Sequence, residues 1–353
     1  SWIPWIHNSI APDLRKRKNL EGPKTGREAR AIWQEEKERW LGFLPLKELP
    51  IFEDVAPFYY EWLDHPEDGP YWNFADIESR YDRVQVPALN LSGWYDEGYG
   101  PIGAVLNFNG TRDHGSRLIL GPWTHGAPSL SSTHLGELDF GPNAGLDYES
   151  VLLQWFDFWL KGEDGGVAEW PPVRLFVMGD DVWRNEKEWP LARTKYTSYY
   201  LGPLGRLTPR SPSEEDGSDS YTYDPLDPVV DPLGGTLGPY DQSGLESRSD
   251  VLVYSTPPLE KDLEVTGPVA AELWISSSAP DTDFFVRLLD VHPDGKAYNL
   301  MSPTLEVQRA RYRNGESRPE LLTPGQVTRI RLDNMMTSNV FKVGHRIRIH
   351  ITS

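Results

Sequence analysis

The sequence predicts a chain of three parts: a small helical layer, a parallel α/β segment and an antiparallel β-sandwich or jelly roll. Apolar residues recur at helical spacing near the start, short apolar strands alternate with helices in the middle, and short strands separated by turns fill the second half. At 353 residues the chain is too long for one ordinary domain. We expect the three parts to span residues 1–84, 85–168 and 169–353.

Residues 1–84 are rich in Trp and show helical periodicity. In the segment REARAIWQEEKERWL, apolar residues recur at helical spacing and charged residues occupy the opposite face. APFYYEWL is a second candidate helix, which ends before His65-Pro66 because a proline disfavours the helical conformation of the preceding residue. No strand pattern interrupts this region, so we predict a layer of short helices.

Residues 85–168 alternate between short apolar strands and helices. VPALNL and RLIL are strand candidates, and the segment IGAVLNFNG between them is a candidate helix. DYESVLLQWFDFWLKG follows as a longer helix, with Asp147 as its N-terminal cap and Gly162 as its stop. Short strands that are apolar on both faces are typical of a parallel sheet covered by helices.

The last part of the chain carries almost no helical periodicity. Its short strands are separated by turn clusters such as Pro293-Asp294-Gly295, a pattern that predicts an antiparallel sandwich or jelly roll. We interpret the polar residues 207–248 as one long surface excursion of that sandwich. The strand candidates are Val173–Met178, Tyr196–Leu201, Asp250–Tyr254, Val269–Ser276, Asp283–Leu289, Val327–Leu332 and Arg346–Ile351.

Charge and composition exclude several classes of function. With 35 Lys and Arg against 53 Asp and Glu, the net charge of −18 repels phosphate backbones and anionic lipids, so we expect neither nucleic acid nor membrane as a partner. The absence of Cys excludes disulfides, thiolate metal sites and a Cys nucleophile, but leaves the redox compartment open. No run of about 18 apolar residues exists, so we expect a soluble protein, with the cytoplasm as its compartment.

Both ends of the sequence interrupt a pattern. The chain opens in the apolar stretch SWIPWI without a Met, and it stops in RIRIHITS, within a strand-like alternation. We therefore expect it to be a fragment of a longer protein.

Two residues with catalytic chemistry follow the strands of the α/β segment. Asp96 follows the first strand in LSGWYDEG, and His125 follows the second in LILGPWTHG. Functional groups collect at the carboxyl ends of parallel strands. A carboxylate there can hold one tautomer of an imidazole, which takes a proton from a Ser and returns it to the leaving group. Each residue alone could be an ordinary turn or loop residue, but the paired pattern favours catalysis.

Longer motifs carry a family resemblance. The segments GWYDEGYGPIGAVLNFNG, LILGPWTHG, DYESVLLQWFDFWLKG, VRLFVMGDDVWRNEKEWP and VFKVGHRIRI resemble, in this order, the CocE/NonD family of serine hydrolases, whose members include ester hydrolases, acylases and Xaa-Pro dipeptidyl-peptidases. The resemblance covers nearly all of the chain. It implies the C-terminal half of an α/β-hydrolase core with a helical cap insertion, followed by a jelly roll. It also implies that Asp96 is the triad acid and His125 the triad base.

The family's nucleophile has no counterpart in the sequence. That Ser belongs to a Gly-x-Ser-x-Gly-like elbow, whereas Gly315-Glu316-Ser317 is the one Gly-x-Ser of this chain and lies in a polar turn. The resemblance therefore implies an enzyme that cleaves ester or amide bonds and whose Ser lies outside this chain. We expect the fragment alone to be inactive.

Trp94, Tyr95 and Trp123 flank the two catalytic positions. Aromatic side chains there could line a pocket for a small ester, an amide or a short peptide, although packing around the strand ends is the alternative. The family also leads us to expect self-association of the β-rich part. Two other functions stay open: a proline-specific dipeptidyl-peptidase, and a non-catalytic sandwich that binds carbohydrate through a row of exposed Trp side chains.

The sequence offers no His-based metal motif and no Walker A pattern. Its eight His residues show neither H-x-H nor H-E-x-x-H spacing. The acidic segment SEEDGSDS lacks the ligand order of an EF-hand, so we interpret it as a solvated loop. We expect no metal and no cofactor.

Overall fold

The structure is a computed structural model that describes residues 2–97, 100–213, 217–231 and 237–353. Residues 214–216 of the acidic loop lie outside the described residues. Within those ranges, no helix is long and apolar enough to cross a membrane.

The chain forms two compact units, each with its own hydrophobic core. One unit comprises Ser1–Ala75 with Glu316–Arg318, and the other comprises Asp76–Gly315 with Pro319–Ser353. The catalytic positions predicted from the sequence both belong to the second unit.

The first unit is helical, as its sequence predicts. The segment REARAIWQEEKERWL forms its longest helix and buries Trp33 and Trp40. That helix begins with a capping box, in which the Thr25 hydroxyl accepts from the Glu28 amide and the Glu28 carboxylate accepts from the Thr25 amide. The helices are α1 (Trp2–Trp5), continued by a π-helical turn (Ile6–Ile10), α2 (Ala11–Lys18), α3 (Gly26–Leu41) and α4 (Phe58–Asp64).

The second unit contains the predicted parallel α/β sheet. Its strands are β1 (Leu89–Gly93), β2 (Arg117–Gly121), β5 (Val173–Val177) and β6 (Val182–Glu186), arranged in the order β1-β2-β5-β6. β1, β2 and β5 are parallel, and β6 is antiparallel to β5. The other elements here are α5 (Gly100–Thr111), α6 (Ala127–Leu130), the short hairpin of β3 (His134–Leu135) and β4 (Leu138–Asp139), and α7 (Tyr148–Phe156), which Asp147 caps.

Two strand predictions need correction. Val173–Met178 was expected to open the sandwich, but β5 pairs with β2 in the α/β sheet. Its apolar side chains are buried, which suits a central parallel strand as well as a sandwich strand. The predicted strand Tyr196–Leu201 was wrong over most of its length, since β7 spans only Tyr200–Gly202. The domain boundary at residues 168/169 itself stays a prediction.

The remaining strands form the predicted sandwich. They are β8 (Arg206–Thr208), β9 (Leu252–Ser255), β10 (Leu263–Ile275), β11 (Asp283–Val291), β12 (Ala297–Asn299), β13 (Val307–Arg309), β14 (Thr328–Phe341) and β15 (Arg346–Thr352). Their pairings are antiparallel, except that β8 runs parallel to β9. One sheet has the order β12-β11-β15-β9-β8-β7, with β13 also paired to β11, and the other is the long ribbon β10-β14. Buried apolar side chains from both sheets form one core between them. A β-sandwich is therefore confirmed, and its jelly-roll topology stays a prediction.

A buried carboxyl group lies beside β11 in this sandwich. Glu306 is fully buried, and its Oε2 accepts a hydrogen bond of 3.1 Å from Nε of Arg287. Arg287 also pairs with Asp231 at 2.7 Å, so the two carboxyl groups share one guanidinium. Burial outweighs the attraction of Arg287 and raises the pKa of Glu306 to about 8.

We predict that Glu306 makes folding stability fall as pH rises. In the unfolded chain the group ionises near 4.5, whereas the folded protein keeps this proton up to about pH 8. Stability is therefore lost between these two values, with a slope that approaches ~1.4 kcal/mol per pH unit for one proton. Glu306→Gln should flatten this slope in urea unfolding at pH 5, 6.5 and 8. Exposed Glu260→Gln is the matched control, and equal slopes in the wild type and Glu306→Gln would contradict the prediction.

Candidate active site

Asp96 and His125 lie together, as the sequence predicts. Nδ1 of His125 is 3.0 Å from Oδ1 of Asp96. The Asp96 side chain is 13% exposed, whereas that of His125 is 46% exposed. A shielded carboxylate and an accessible imidazole are what a general base and its orienting acid require. We call this pair the Asp–His dyad.

The backbone beyond β1 and β2 holds the dyad in place. The two strands pair in register as far as Gly93 and Gly121. Main-chain hydrogen bonds then continue between the turns that follow β1 and β2. The Trp94 amide donates to the Gly121 carbonyl at 2.9 Å, and the Tyr95 amide donates to the Trp123 carbonyl at 3.0 Å. Asp96 and His125 therefore project from two turns that are fixed to each other.

Glycine is required where these turns approach. A Cβ atom on Gly93 would lie 2.0 Å from the carbonyl oxygen of Trp123, and one on Gly121 would lie 2.5 Å from the Trp123 ring. Both distances are well inside van der Waals contact. The two glycines that end β1 and β2 therefore let the turns that carry Asp96 and His125 come close enough to pair.

Ser92 is a site residue that sequence reasoning missed. Its buried hydroxyl donates a 3.1 Å hydrogen bond to Oδ2 of Asp96, while Oδ1 faces His125. Both oxygens of the carboxylate thus have a defined partner, which fixes the rotation of the carboxylate. The sequence signal was a Ser four residues before Asp96, at the end of a buried strand. Because this hydroxyl contacts the acid and not the base, it acts as a positioning group.

If the Asp–His dyad is catalytic, we predict that Ser92→Ala lowers kcat about tenfold with KM little changed, because a hydrogen bond to a charged group contributes roughly 1.5 kcal/mol. Ser92→Thr, which keeps the hydroxyl, should restore most of the rate. Ser116→Ala is the matched control, since that buried Ser accepts from the Ala88 amide at 2.8 Å, before the start of β1. Equal losses of kcat in Ser92→Ala and Ser116→Ala would argue against a positioning role.

The three aromatic residues predicted to line an acyl pocket are buried. Trp94, Tyr95 and Trp123 have exposed fractions of 0%, 1% and 0%. Each side chain donates its polar hydrogen to a main-chain carbonyl. This arrangement favours packing around the strand ends, the alternative that the sequence left open, and a substrate-binding role stays a prediction. The acceptors are the carbonyl oxygens of Phe176, Asn299 and Ala144, at 3.0, 3.1 and 3.1 Å.

A second polar cluster lies at the edge of the sandwich. Asp290, His292 and His345 each place one potential metal-ligand atom within 4.8 Å of the others, although the sequence was expected to hold no metal. Burial raises the pKa of Asp290 and lowers the pKa of His292. We call these three residues the Asp–His–His cluster.

Comparison with known proteins assigns the family. Residues 165–353, more than half of the chain, match the X-Pro dipeptidyl-peptidase C-terminal non-catalytic domain. Residues 5–127 match the X-Pro dipeptidyl-peptidase (S15) family. Together the two matches include both members of the Asp–His dyad.

Individual relatives agree with these matches. Cocaine esterase from Rhodococcus sp. (strain MB1 Bresler) is 39% identical over 330 residues, which cover 88% of this chain and 56% of the relative. The solved structure of an α-amino acid ester hydrolase has a TM-score of 0.74 at 26% identity and covers 85% of this chain and 54% of that one. The crystal structure of an aminopeptidase from the marine sediment archaeon Thaumarchaeota archaeon has a TM-score of 0.77 at 22% identity, covers 99% of this chain and 63% of that one, and supports the fold alone.

The chain spans about half the length of the curated relatives it matches. Their names as esterases agree with the order of motifs found in the sequence and with the sheet that carries the Asp–His dyad. The chain therefore belongs to the CocE/NonD family of serine hydrolases.

Proposed function

We propose that this chain supplies the acid and the base of a Ser-His-Asp triad that cleaves ester bonds, or related acyl bonds, of small molecules. The observation that carries the proposal is the 3.0 Å contact between Nδ1 of His125 and Oδ1 of Asp96, at the carboxyl ends of adjacent parallel strands. The 39% identity to a cocaine esterase favours esters within this class.

The nucleophile is proposed to come from a part of the protein beyond these 353 residues. Ser317 belongs to the one Gly-x-Ser segment of the chain and lies in the exposed turn of residues 316–318. Ser92 lies near the dyad, but its hydroxyl is bonded to Asp96. Ser317 has no strand-turn-helix setting, and Ser92 lies within β1, not at the sharp turn where a nucleophile elbow places its Ser.

The proposed reaction follows from the roles of the two side chains. Asp96 accepts the Nδ1 proton of His125, which leaves Nε2 as the nitrogen that takes the proton of the Ser hydroxyl during attack on the ester carbonyl. The imidazolium then gives this proton to the departing alkoxide, and an acyl-enzyme results. Water, deprotonated in turn by His125, releases the acid and regenerates the Ser.

Hydrolysis by the parent protein, the product of the reading frame that contains this chain, tests the proposal. We expect saturable hydrolysis of p-nitrophenyl acetate, with kcat/KM at least about 100-fold above that for Gly-Pro-p-nitroanilide, and loss of activity on reaction with a fluorophosphonate. The 353-residue chain alone should be inactive, because removing the Ser from a triad costs most of the rate.

Each opposite result would overturn part of the proposal. Saturable hydrolysis by the 353-residue chain that His125→Ala abolishes would contradict a nucleophile beyond the chain. Preference for Gly-Pro-p-nitroanilide would instead make the parent a dipeptidyl-peptidase, as the family matches would allow. The carbohydrate-binding alternative finds little support, because in the described part of the sandwich Trp274 is the one Trp with a largely exposed side chain, at 70%.

A further inference from the structure

The Asp–His–His cluster is assembled by the pairing of β11 with β15. These strands are antiparallel, with Val291 opposite Arg346. Asp290 and His292 flank Val291, and His345 directly precedes Arg346, so the same register brings His292 and His345 together. The centroids of their rings are 4.4 Å apart.

Main-chain hydrogen bonds fix the two turns that carry the histidines. The His292 amide donates to the Lys296 carbonyl at 2.8 Å, within the turn that joins β11 to β12. The His345 amide donates to the Lys342 carbonyl at 3.0 Å, within the turn that joins β14 to β15. Both imidazoles thus come from turns that are closed by main-chain hydrogen bonds, which favours a defined position for each.

The carboxylate of Asp290 has weak compensation for its burial. Its side chain is 6% exposed, and its ion pair among the described residues is with Nδ1 of His345, at 2.9 Å from Oδ1. Its other oxygen, Oδ2, accepts a long hydrogen bond of 3.4 Å from the side-chain amide nitrogen of Asn339. Burying a carboxylate is costly unless a cation or strong hydrogen bonds balance it. A bound dication would supply that balance.

The cluster opens into a cavity with further negative charge. The cavity has a volume of about 270 Å³, and Asp139 and Asp181 also line it. The ammonium group of Lys342, also in the lining, is bonded to Asp180 and lies 3.4 Å from Asp262. Its charge is therefore already shared between two other carboxylates, and the cavity favours a cation.

From this geometry we propose that Asp290, His292 and His345 bind a divalent transition metal of the zinc class, with water from the cavity as the remaining ligand. Two imidazoles and one carboxylate are a donor set that zinc takes in proteins, usually with a water in the fourth position. The candidate ligand atoms lie within 4.8 Å of one another, and side-chain rotation would have to bring them to the separation of about 3.4 Å that tetrahedral zinc imposes. Nδ1 of His345 and Oδ1 of Asp290, now 2.9 Å apart, would move slightly apart. The metal would take the place of the proton between Nδ1 of His345 and Asp290, and the neutral imidazole would carry its proton on Nε2 instead.

Such a metal would link the β11–β12 turn to the β14–β15 turn. This role does not depend on the hydrolase activity proposed above. No sequence motif predicts this metal site, because the spacing of Asp290, His292 and His345 matches neither H-x-H nor H-E-x-x-H.

Zinc titration of the purified 353-residue chain by calorimetry tests the proposal. We expect one saturable equivalent, and a Co²⁺ absorption spectrum of a four- or five-coordinate site. His292→Gln and His345→Gln should each weaken zinc binding by at least about 100-fold. His114→Gln removes a His of the same unit outside the cluster and should leave binding unchanged.

Three results would overturn the proposal: no saturable zinc binding, binding that neither cluster variant weakens, or equal weakening by His114→Gln. Crystals of the wild-type chain soaked with zinc give a second measurement that does not depend on the folding of any variant. Anomalous difference density at the zinc edge should lie between Asp290, His292 and His345. Density elsewhere alone, or none, would contradict the site.

Discussion

Asp96→Asn should lower kcat of the parent protein for p-nitrophenyl acetate by about 10⁴-fold, with KM changed little. An amide in place of the carboxylate no longer holds the His125 tautomer that presents Nε2 as the base. The change is nearly isosteric, and the amide oxygen can still accept from Ser92, so the fold should be retained. Steady-state kinetics measure kcat and KM, and thermal unfolding checks that the variant is folded.

The chain offers a matched control for this variant. Asp139 lies 3.4 Å from Nε2 of His134 and forms a second Asp–His pair in the same unit, but both side chains are largely exposed. Asp139→Asn should leave kcat unchanged. The double variant Asp96→Asn/His125→Ala should be no slower than His125→Ala alone, since the two residues act as a unit. A loss below about tenfold in folded Asp96→Asn would contradict the role proposed for the dyad.

Gly93→Ala should destabilise the protein by at least ~3 kcal/mol, or prevent folding. The added methyl group would lie 2.0 Å from the carbonyl oxygen of Trp123, a main-chain atom that cannot rotate away. The turns after β1 and β2 would have to separate, which would break the hydrogen bond from the Tyr95 amide to that carbonyl. Urea unfolding, or soluble yield if no folded protein is obtained, measures the effect.

Gly103→Ala is the control for this substitution. Gly103 lies within α5, and a Cβ atom there would meet nothing within 4 Å. Alanine is favoured over glycine inside a helix, so this variant should gain up to about 1 kcal/mol. A Gly93→Ala protein with a free energy of unfolding within about 0.5 kcal/mol of the wild type would show that the turns after β1 and β2 can separate at little cost.

Local patterns predicted the elements better than their assembly. The helix α3 follows from helical spacing. The helix α7 follows from its Asp147 cap, and the π-helical turn Asp157–Lys161 that continues it ends at the predicted Gly162, where φ is +74°. The sheet of β5 could not be predicted in the same way. A short strand that is apolar on both faces fits a parallel sheet or a sandwich interior equally well, and its partner is decided by residues distant in sequence.

The same distinction holds for the residues of the candidate site: positions at strand ends were predictable, whereas contacts that depend on assembly were not. Asp96 and His125 were predictable because the carboxyl ends of parallel strands lie at one edge of a sheet. The contact of Ser92 with Asp96 depends on the conformation of the turn, and the contact of His345 with Asp290 joins residues 55 positions apart through the β11–β15 register. Trp94, Tyr95 and Trp123 are buried by residues of other elements that pack against them. The sequence of the two turns alone does not reveal which elements these are.

The most direct test of the proposed triad is to label the parent protein with a fluorophosphonate and locate the modified residue by mass spectrometry. We predict a single labelled Ser in a Gly-x-Ser-x-Gly segment outside these 353 residues, and loss of labelling in His125→Ala but not in His134→Ala. A labelled Ser within these 353 residues, or labelling that does not depend on His125, would contradict the proposal that Asp96 and His125 serve a nucleophile from elsewhere in the protein.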